Sequence, residues 1–142
     1  MSVSAPTWPP LTVIVPVYNE VESLRDLHRE VTEALDPTGI EYEVILVNDG
    51  SRDGTATLLE RLSEEDPRFR ARFLPHRTGK SAALNVGFQA ASGDIVVTMD
   101  ADLQDLPEEV PLLVHAMETR GLDLAQAWRR EREDHTAKVA AS

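Results

Sequence analysis

The chain has 142 residues, 42% of them apolar, and 25 acidic against 14 basic residues leave a net charge of −11, which suits one domain with a real core. That acidity excludes a nonspecific nucleic-acid surface, because neutralising phosphates needs clustered basic residues. Cysteine is absent, so there is no disulfide framework, thiol nucleophile or cysteine-bound zinc, and any metal must sit on oxygen or histidine.

Met1 to Pro10, with Pro6, Pro9 and Pro10, reads as an extended N-terminal arm. It lacks both the basic region and the apolar core of a signal peptide, and no run reaches the roughly 18 to 20 apolar residues needed to cross a bilayer. A soluble chain in a reducing, cytoplasmic compartment is therefore expected. Leu11 to Val17 begins the first strand; Val13, Ile14, Val15 and Val17 are continuous rather than alternating, as in the middle of a parallel sheet covered on both faces. Val21, Leu24, Leu27, Val31, Ala34 and Leu35 follow on one helical face and stop near Pro37 and Gly39.

Glu43 to Asn48 predicts a second strand, Asp49 to Gly54 a turn, and Ala56, Leu59 and Leu62 a second helix. Arg70 to Leu74 is a shorter strand, and a loop from Pro75 to Gly79 leads to a helix from about Ser81 to Ala91, closed by Gly93. Ile95 to Met99 is a fourth strand. It runs into Asp100, Asp102 and Gln104, oxygen ligands that can converge on a hard cation where the pleat ends. Taken alone, the same run also reads as a polar loop after a strand. A capped helix is expected from Asp105, carrying Val110, Leu113, Val114 and Met117, and Leu122 to Ala127 reads as a fifth strand. Strands alternating with helices predict a three-layer α/β fold with a mostly parallel sheet. Ligands of such sheets bind beyond the carboxyl ends of strands where strand order reverses. If strands one and four are neighbours there, Pro16 to Glu20 and Asp100 to Gln104 share a crevice, with the Asp49 turn as its far wall.

Rival motifs fail at particular positions. Thr78-Gly79-Lys80-Ser81 matches the end of a phosphate-binding P-loop, but Leu74 stands where that loop needs glycine. A calcium EF-hand loop would need glycine at Asp105 and glutamate at Pro111. An aspartyl-phosphate phosphatase would usually carry a small hydroxyl residue in place of Gln104.

Four blocks in order, Val13-Ile14-Val15-Pro16-Val17-Tyr18-Asn19-Glu20, Val47 to Thr55, Gly79 to Asn85 and Met99-Asp100-Ala101-Asp102-Leu103-Gln104-Asp105, resemble the signature blocks of family-2 glycosyltransferases of the GT-A (Rossmann-like) fold. The Asp-Ala-Asp-Leu-Gln-Asp form, with Trp128 and the basic run Arg129, Arg130 and Arg132, is most similar to the polyprenyl-phosphate branch, the dolichol-phosphate mannosyltransferase-like enzymes. The resemblance implies a domain over residues 11–134, short at its C-terminus, with the acceptor half missing and residues 135–142 an Ala-rich tail. It implies donor-binding roles for Pro16, Tyr18, Glu20, Asp49, Gly79, Lys80, Asp100, Ala101 and Asp102. Asp100, Asp102 and Gln104 would hold Mg²⁺ or Mn²⁺, and Arg129 and Arg132 would meet the diphosphate and the acceptor phosphate, with Asp100, Asp102 and Arg129 catalytic.

Each residue also has a plainer reading. Tyr18 fits a half-buried core aromatic, Glu20 a helix N-terminal acid, Asp49 a turn residue bonded to its own backbone, Lys80 a solvated lysine and Arg129 to Asp134 a charged surface helix. Ala127 departs from the glycine commonly found before the tryptophan of that branch, and Asp53 reads as a turn residue. His28, His76, His115 and His135 show no ligand spacing.

The expected activity is inverting transfer of a sugar from a UDP- or GDP-sugar to an acceptor, a polyprenyl phosphate by the branch resemblance, at the cytoplasmic face of the membrane. The alternative is a nucleotide-sugar-binding module or fragment without turnover, whose acceptor site is completed by a membrane-associated partner or a second subunit. A purely structural α/β interaction domain would leave the polar residues at the strand ends unexplained.

Overall fold

The computed structural model describes residues 10–101, 110, 111, 115, 124–126 and 138–140. Its elements in chain order are β1 (Leu11–Val17), α1 (Leu24–Leu35) with a 3-10 turn at Asp36–Thr38, β2 (Tyr42–Asp49), α2 (Thr55–Glu65), β3 (Phe69–Leu74), α3 (Lys80–Ala90), β4 (Ile95–Thr98), β5 (Leu124–Gln126) and β6 (Lys138–Ala140). One sheet runs β3-β2-β1-β4-β5-β6, parallel throughout except for the antiparallel β5–β6 pair. This is a three-layer α/β arrangement with a mostly parallel sheet, as the alternation of strands and helices predicts.

Continuous apolar strands bury both faces. Leu11, Val13, Val15 and Val17 of β1 pack with Val44 and Leu46 against Leu24, Leu27, Val31 and Leu35 of α1 and Leu59 and Leu62 of α2. The opposite face brings Ile45 and Val47 against Ala83 of α3. A side chain at Gly87 would put its Cβ 2.4 Å from Ile14 Cγ2, so α3 sits this close to β1 only because position 87 has none. Val110, in helix beyond the Asp100 run, joins the α1 face of the core.

The β1–β4 ladder is short. It runs from Leu11↔Ile95 to Ile14↔Thr98 and closes with the Met99 N–H donating to the Ile14 carbonyl at 3.0 Å. Residues 12, 14 and 16 of β1 turn their backbone groups toward β4, by strand alternation. The N–H that Pro16 lacks would therefore have faced the gap where β4 has left the sheet, and no donor is orphaned there. That gap, at the carboxyl ends of β1 and β4 with strand order diverging on either side, is a topological switch point.

Two boundaries differ from the expectation. The first helix starts at Leu24 rather than near Val21, because Asn19 takes a positive φ of 52° and the Glu20 carbonyl then accepts both Ser23 and Leu24 N–H, at 3.1 and 3.2 Å. The Ala-rich segment read as a tail contains β6, which pairs Lys138–Ala140 with β5 and so covers an otherwise open sheet edge. Among the described residues, no helix is long and apolar enough to cross a membrane.

Candidate active site

A cavity of about 300 Å³ opens at the β1/β4 gap, lined by Pro16, Val17, Tyr18, Glu20, Asp49, Arg77, Lys80, Asp100 and Ala101. Seven of these nine, all but Val17 and Arg77, were singled out from the sequence. Gly79 stands beside the cavity as the residue before α3, with φ 105°. Asp102, Gln104, Arg129 and Arg132 lie outside the described residues.

Loop-to-loop hydrogen bonds hold the cavity walls. In the β1–α1 loop, the Asn19 N–H donates to Ser51 Oγ at 2.9 Å and Asn19 Oδ1 accepts from the Arg52 N–H at 2.8 Å. The Glu20 N–H donates to Thr55 Oγ1 at 3.1 Å, and Thr55 itself is fixed by Asp53, whose Oδ1 accepts from the Thr55 hydroxyl and, at 2.9 Å, from the Thr55 N–H. Asp53 is thus the turn residue it was read to be. At Gly50, φ is 72° and a Cβ would meet the Arg77 N at 2.4 Å, so the tip of the β2–α2 turn presses directly on the loop that carries Arg77.

Asp49 does something neither sequence reading contained. It does not bond its own turn; Oδ1 accepts from the Thr78 N–H at 2.7 Å and the Thr78 hydroxyl at 2.8 Å, and Oδ2 accepts from the Gly79 N–H at 2.9 Å. Only 4% exposed, it anchors the β3–α3 loop across the sheet. Burial opposes its ionisation, but the Thr78 and Gly79 donors and the nearby Arg77 charge outweigh that and hold its carboxyl below the usual carboxylate range. A direct contact between this carboxylate and a base or ribose would compete with three hydrogen bonds already made.

The anchored loop delivers two cations. Arg77 lays its guanidinium over the Tyr18 ring, 4.0 Å from the centroid. Lys80, in the first turn of α3, places Nζ 2.7 Å from Asp100 Oδ1; its side chain is 48% exposed, whereas that of Asp100 is 16% exposed. Arg77 escaped the sequence reading, although a cation immediately before Thr78-Gly79-Lys80 was a signal that could have found it. Ser23 escaped as well. Its hydroxyl lies 2.9 Å from the Ala101 carbonyl oxygen and 3.1 Å from Glu20 Oε2, linking the start of α1 to the run after β4.

The donor set suits a hard divalent cation, since Asp100 and Glu20 offer carboxylate oxygens and the chain has no thiol. Among the described residues, no group of three or more His, Cys, Asp or Glu is gathered to hold a metal by itself. A cavity lined by an aromatic ring, two cations and such carboxylates can accept a flat ring and phosphates.

Comparison with known proteins gives the family and the fold. The profile of glycosyl transferase family 2 matches residues 12–141, a span that runs through β6. An undecaprenyl-phosphate 4-deoxy-4-formamido-L-arabinose transferase of Pseudomonas fluorescens is 45% identical over 125 residues, covering 87% of this chain and 36% of that protein. The chain thus spans about a third of the length of that relative. Among solved structures, a mannosyltransferase from Pyrobaculum calidifontis in complex with GDP-Man and Mn²⁺ superposes with a TM-score of 0.63 at 32% identity, over 79% of this chain and 32% of that one. Residues 1–349 of S. aureus TarS in complex with UDP-GlcNAc share the fold, with a TM-score of 0.68 at 24% identity over 83% of this chain and 33% of that one.

Proposed function

Because the chain belongs to glycosyl transferase family 2, we propose that it binds the nucleotide diphosphate of a UDP- or GDP-sugar in the β1/β4 crevice and passes the sugar, with inversion, to a polyprenyl phosphate. One observation carries the reading: Pro16, Tyr18, Glu20, Asp49, Lys80, Asp100 and Ala101, drawn from four separate stretches of sequence, line one cavity at the switch point of the sheet. The lipid phosphate is supported by the Pseudomonas relative, which is named for its undecaprenyl-phosphate acceptor. A divalent cation, Mg²⁺ or Mn²⁺, is supported by the Pyrobaculum structure with GDP-Man and Mn²⁺.

In this account the Tyr18 ring and the Arg77 guanidinium stacked on it receive the base together. Lys80 and the first amides of α3 face the diphosphate, and Asp49 keeps both cations in place by holding Thr78 and Gly79. Asp100, with Asp102 and Gln104 as the resemblance implies, would hold the cation. When bound, the cation supplies Lewis acidity that neutralises the departing diphosphate. Arg129 and Arg132 would present guanidinium forks to the acceptor phosphate. An acceptor phosphate oxygen is already anionic, so it needs no general base: its bond to the anomeric carbon forms on the face opposite the diphosphate as the carbon–diphosphate bond breaks.

A second reading, nucleotide-sugar binding without turnover, draws on the cavity itself, where Tyr18, Glu20, Lys80 and Asp100 are all given to the donor side by the first reading. Incubation with undecaprenyl phosphate, Mn²⁺ and radiolabelled UDP- and GDP-sugars separates the two. Transfer predicts label in the lipid extract from wild type and none from Asp100→Ala. Nucleotide binding with neither lipid label nor nucleotide release favours the second reading.

A further inference from the structure

Ser23 occupies the N-cap position of α1, where a serine normally turns its hydroxyl onto an amide of the first helical turn. Here it makes no such cap bond. Its hydroxyl instead reaches a carbonyl 78 residues away, that of Ala101 at 2.9 Å, with Glu20 Oε2 at 3.1 Å and the Glu20 carbonyl at 3.3 Å as poorer alternatives. The Glu20 carbonyl already accepts the Ser23 and Leu24 amides, and of the two remaining acceptors the Ala101 oxygen is the nearer, so it takes the single hydroxyl proton. Ala101 is 4% exposed, so its carbonyl has little water to turn to. Covalently, that carbonyl belongs to the peptide unit joining Asp100-Ala101 to Asp102.

We propose that Ser23 is a positioning residue for Asp100: by holding the Ala101 carbonyl it sets the backbone from which the Asp100 carboxylate meets a divalent cation. This rests on the reading of the crevice as a donor site. A hydroxyl at this position forgoes its local cap for the long-range bond, so the helix start depends little on it, whereas the placement of Ala101 depends on it directly.

The test uses the full chain, with Mn²⁺ as the probe, and reads binding by electron paramagnetic resonance and calorimetry rather than turnover. UDP and GDP are titrated separately in chelator. Ser23→Ala is expected to weaken Mn²⁺ binding about tenfold, roughly the worth of one buried hydrogen bond. It should leave nucleotide binding in chelator unchanged and the thermal midpoint near wild type. Ser23→Thr, which keeps the hydroxyl, should restore Mn²⁺ binding. Unchanged Mn²⁺ binding in Ser23→Ala overturns the proposal, as does a parallel loss of Mn²⁺ and nucleotide binding, which would mark a merely structural role. Wild type that binds Mn²⁺ but neither nucleotide contradicts the donor-site reading while Ser23 is still tested on the metal alone; wild type that binds nucleotide but no Mn²⁺ overturns the Ser23 proposal and spares the nucleotide site.

Discussion

Replacing Asp49 with asparagine tests whether this carboxylate is an anchor of the cavity wall. Both of its oxygens accept in the wild type, Oδ1 from the Thr78 N–H and hydroxyl at 2.7 and 2.8 Å and Oδ2 from the Gly79 N–H at 2.9 Å. An amide has one acceptor oxygen, and its NH₂ must face a donor whichever way it turns. With the oxygen kept toward Thr78, the Gly79 bond is lost and two donors confront each other. A hydrogen bond to a charged group is worth about 1.5–3 kcal/mol, and the loop is open enough for the Gly79 amide to find water, so the expected loss in Asp49→Asn is about 2 kcal/mol at neutral pH. Because the folded carboxyl is held below its ordinary value, its contribution is complete above the unfolded value of about 3.9 and fades as pH falls through the lower folded value. Urea unfolding followed by far-ultraviolet circular dichroism should therefore show a wild-type advantage at pH 7 that shrinks in acid. Nucleotide affinity should fall as well, since Arg77 and Lys80 flank the released residues. Equal stability at pH 7, or a deficit that persists undiminished below the folded value, would refute the anchoring role.

Two further outcomes concern the frame beneath the site. Glu43 Oε2 accepts from the Thr12 hydroxyl, the Ser92 N–H and the Ser92 hydroxyl, each at 2.7 Å, and Oε1 accepts from Arg70 at 2.6 Å. Burial opposes its ionisation, but these donors prevail and bring its carboxyl from 4.5 down to about 2, which corresponds to about 3 kcal/mol of stability. That contribution is present above the unfolded value and lost as pH falls through about 2; Glu43→Gln should lose much of it at pH 7 in urea unfolding and little in strong acid. Gly87→Ala should destabilise by about 1–3 kcal/mol through collision with Ile14, despite alanine's helix preference of about 1 kcal/mol, and a rise in the thermal midpoint would contradict the packing of α3.

What was legible in the sequence follows from the range of the forces involved. β1, β2 and β4 could be read because strands buried on both faces must be apolar throughout, and Val13 to Val15 and Val44 to Val47 are. The crevice could be read because parallel topology brings the ends of β1 and β4 together once they are neighbours. The partners of Asp49 could not, since an acid in a turn looks the same whether it bonds its own backbone or a loop 29 residues away. Ser23 was hidden for the same reason, as a serine before a helix ordinarily reads as a cap. Arg77 is an exposed loop cation whose place before Thr78-Gly79-Lys80 was its local mark, but the Tyr18 ring it covers lies 59 positions earlier in the chain (77 against 18). β6 is three residues long and exists through its pairing with β5, which no pattern within Lys138–Ala140 announces.

The most direct test of the donor-site account is thermal unfolding of wild type and Asp100→Ala with UDP and GDP, in Mn²⁺ and again in chelator. Saturation at a hundred times the dissociation constant should stabilise wild type by about 2.7 kcal/mol, a rise in the unfolding midpoint that needs the cation. One of the two nucleotides is expected to produce this metal-dependent rise in wild type and not in Asp100→Ala. A rise of the same size in Asp100→Ala, or none with either nucleotide in wild type, would contradict it.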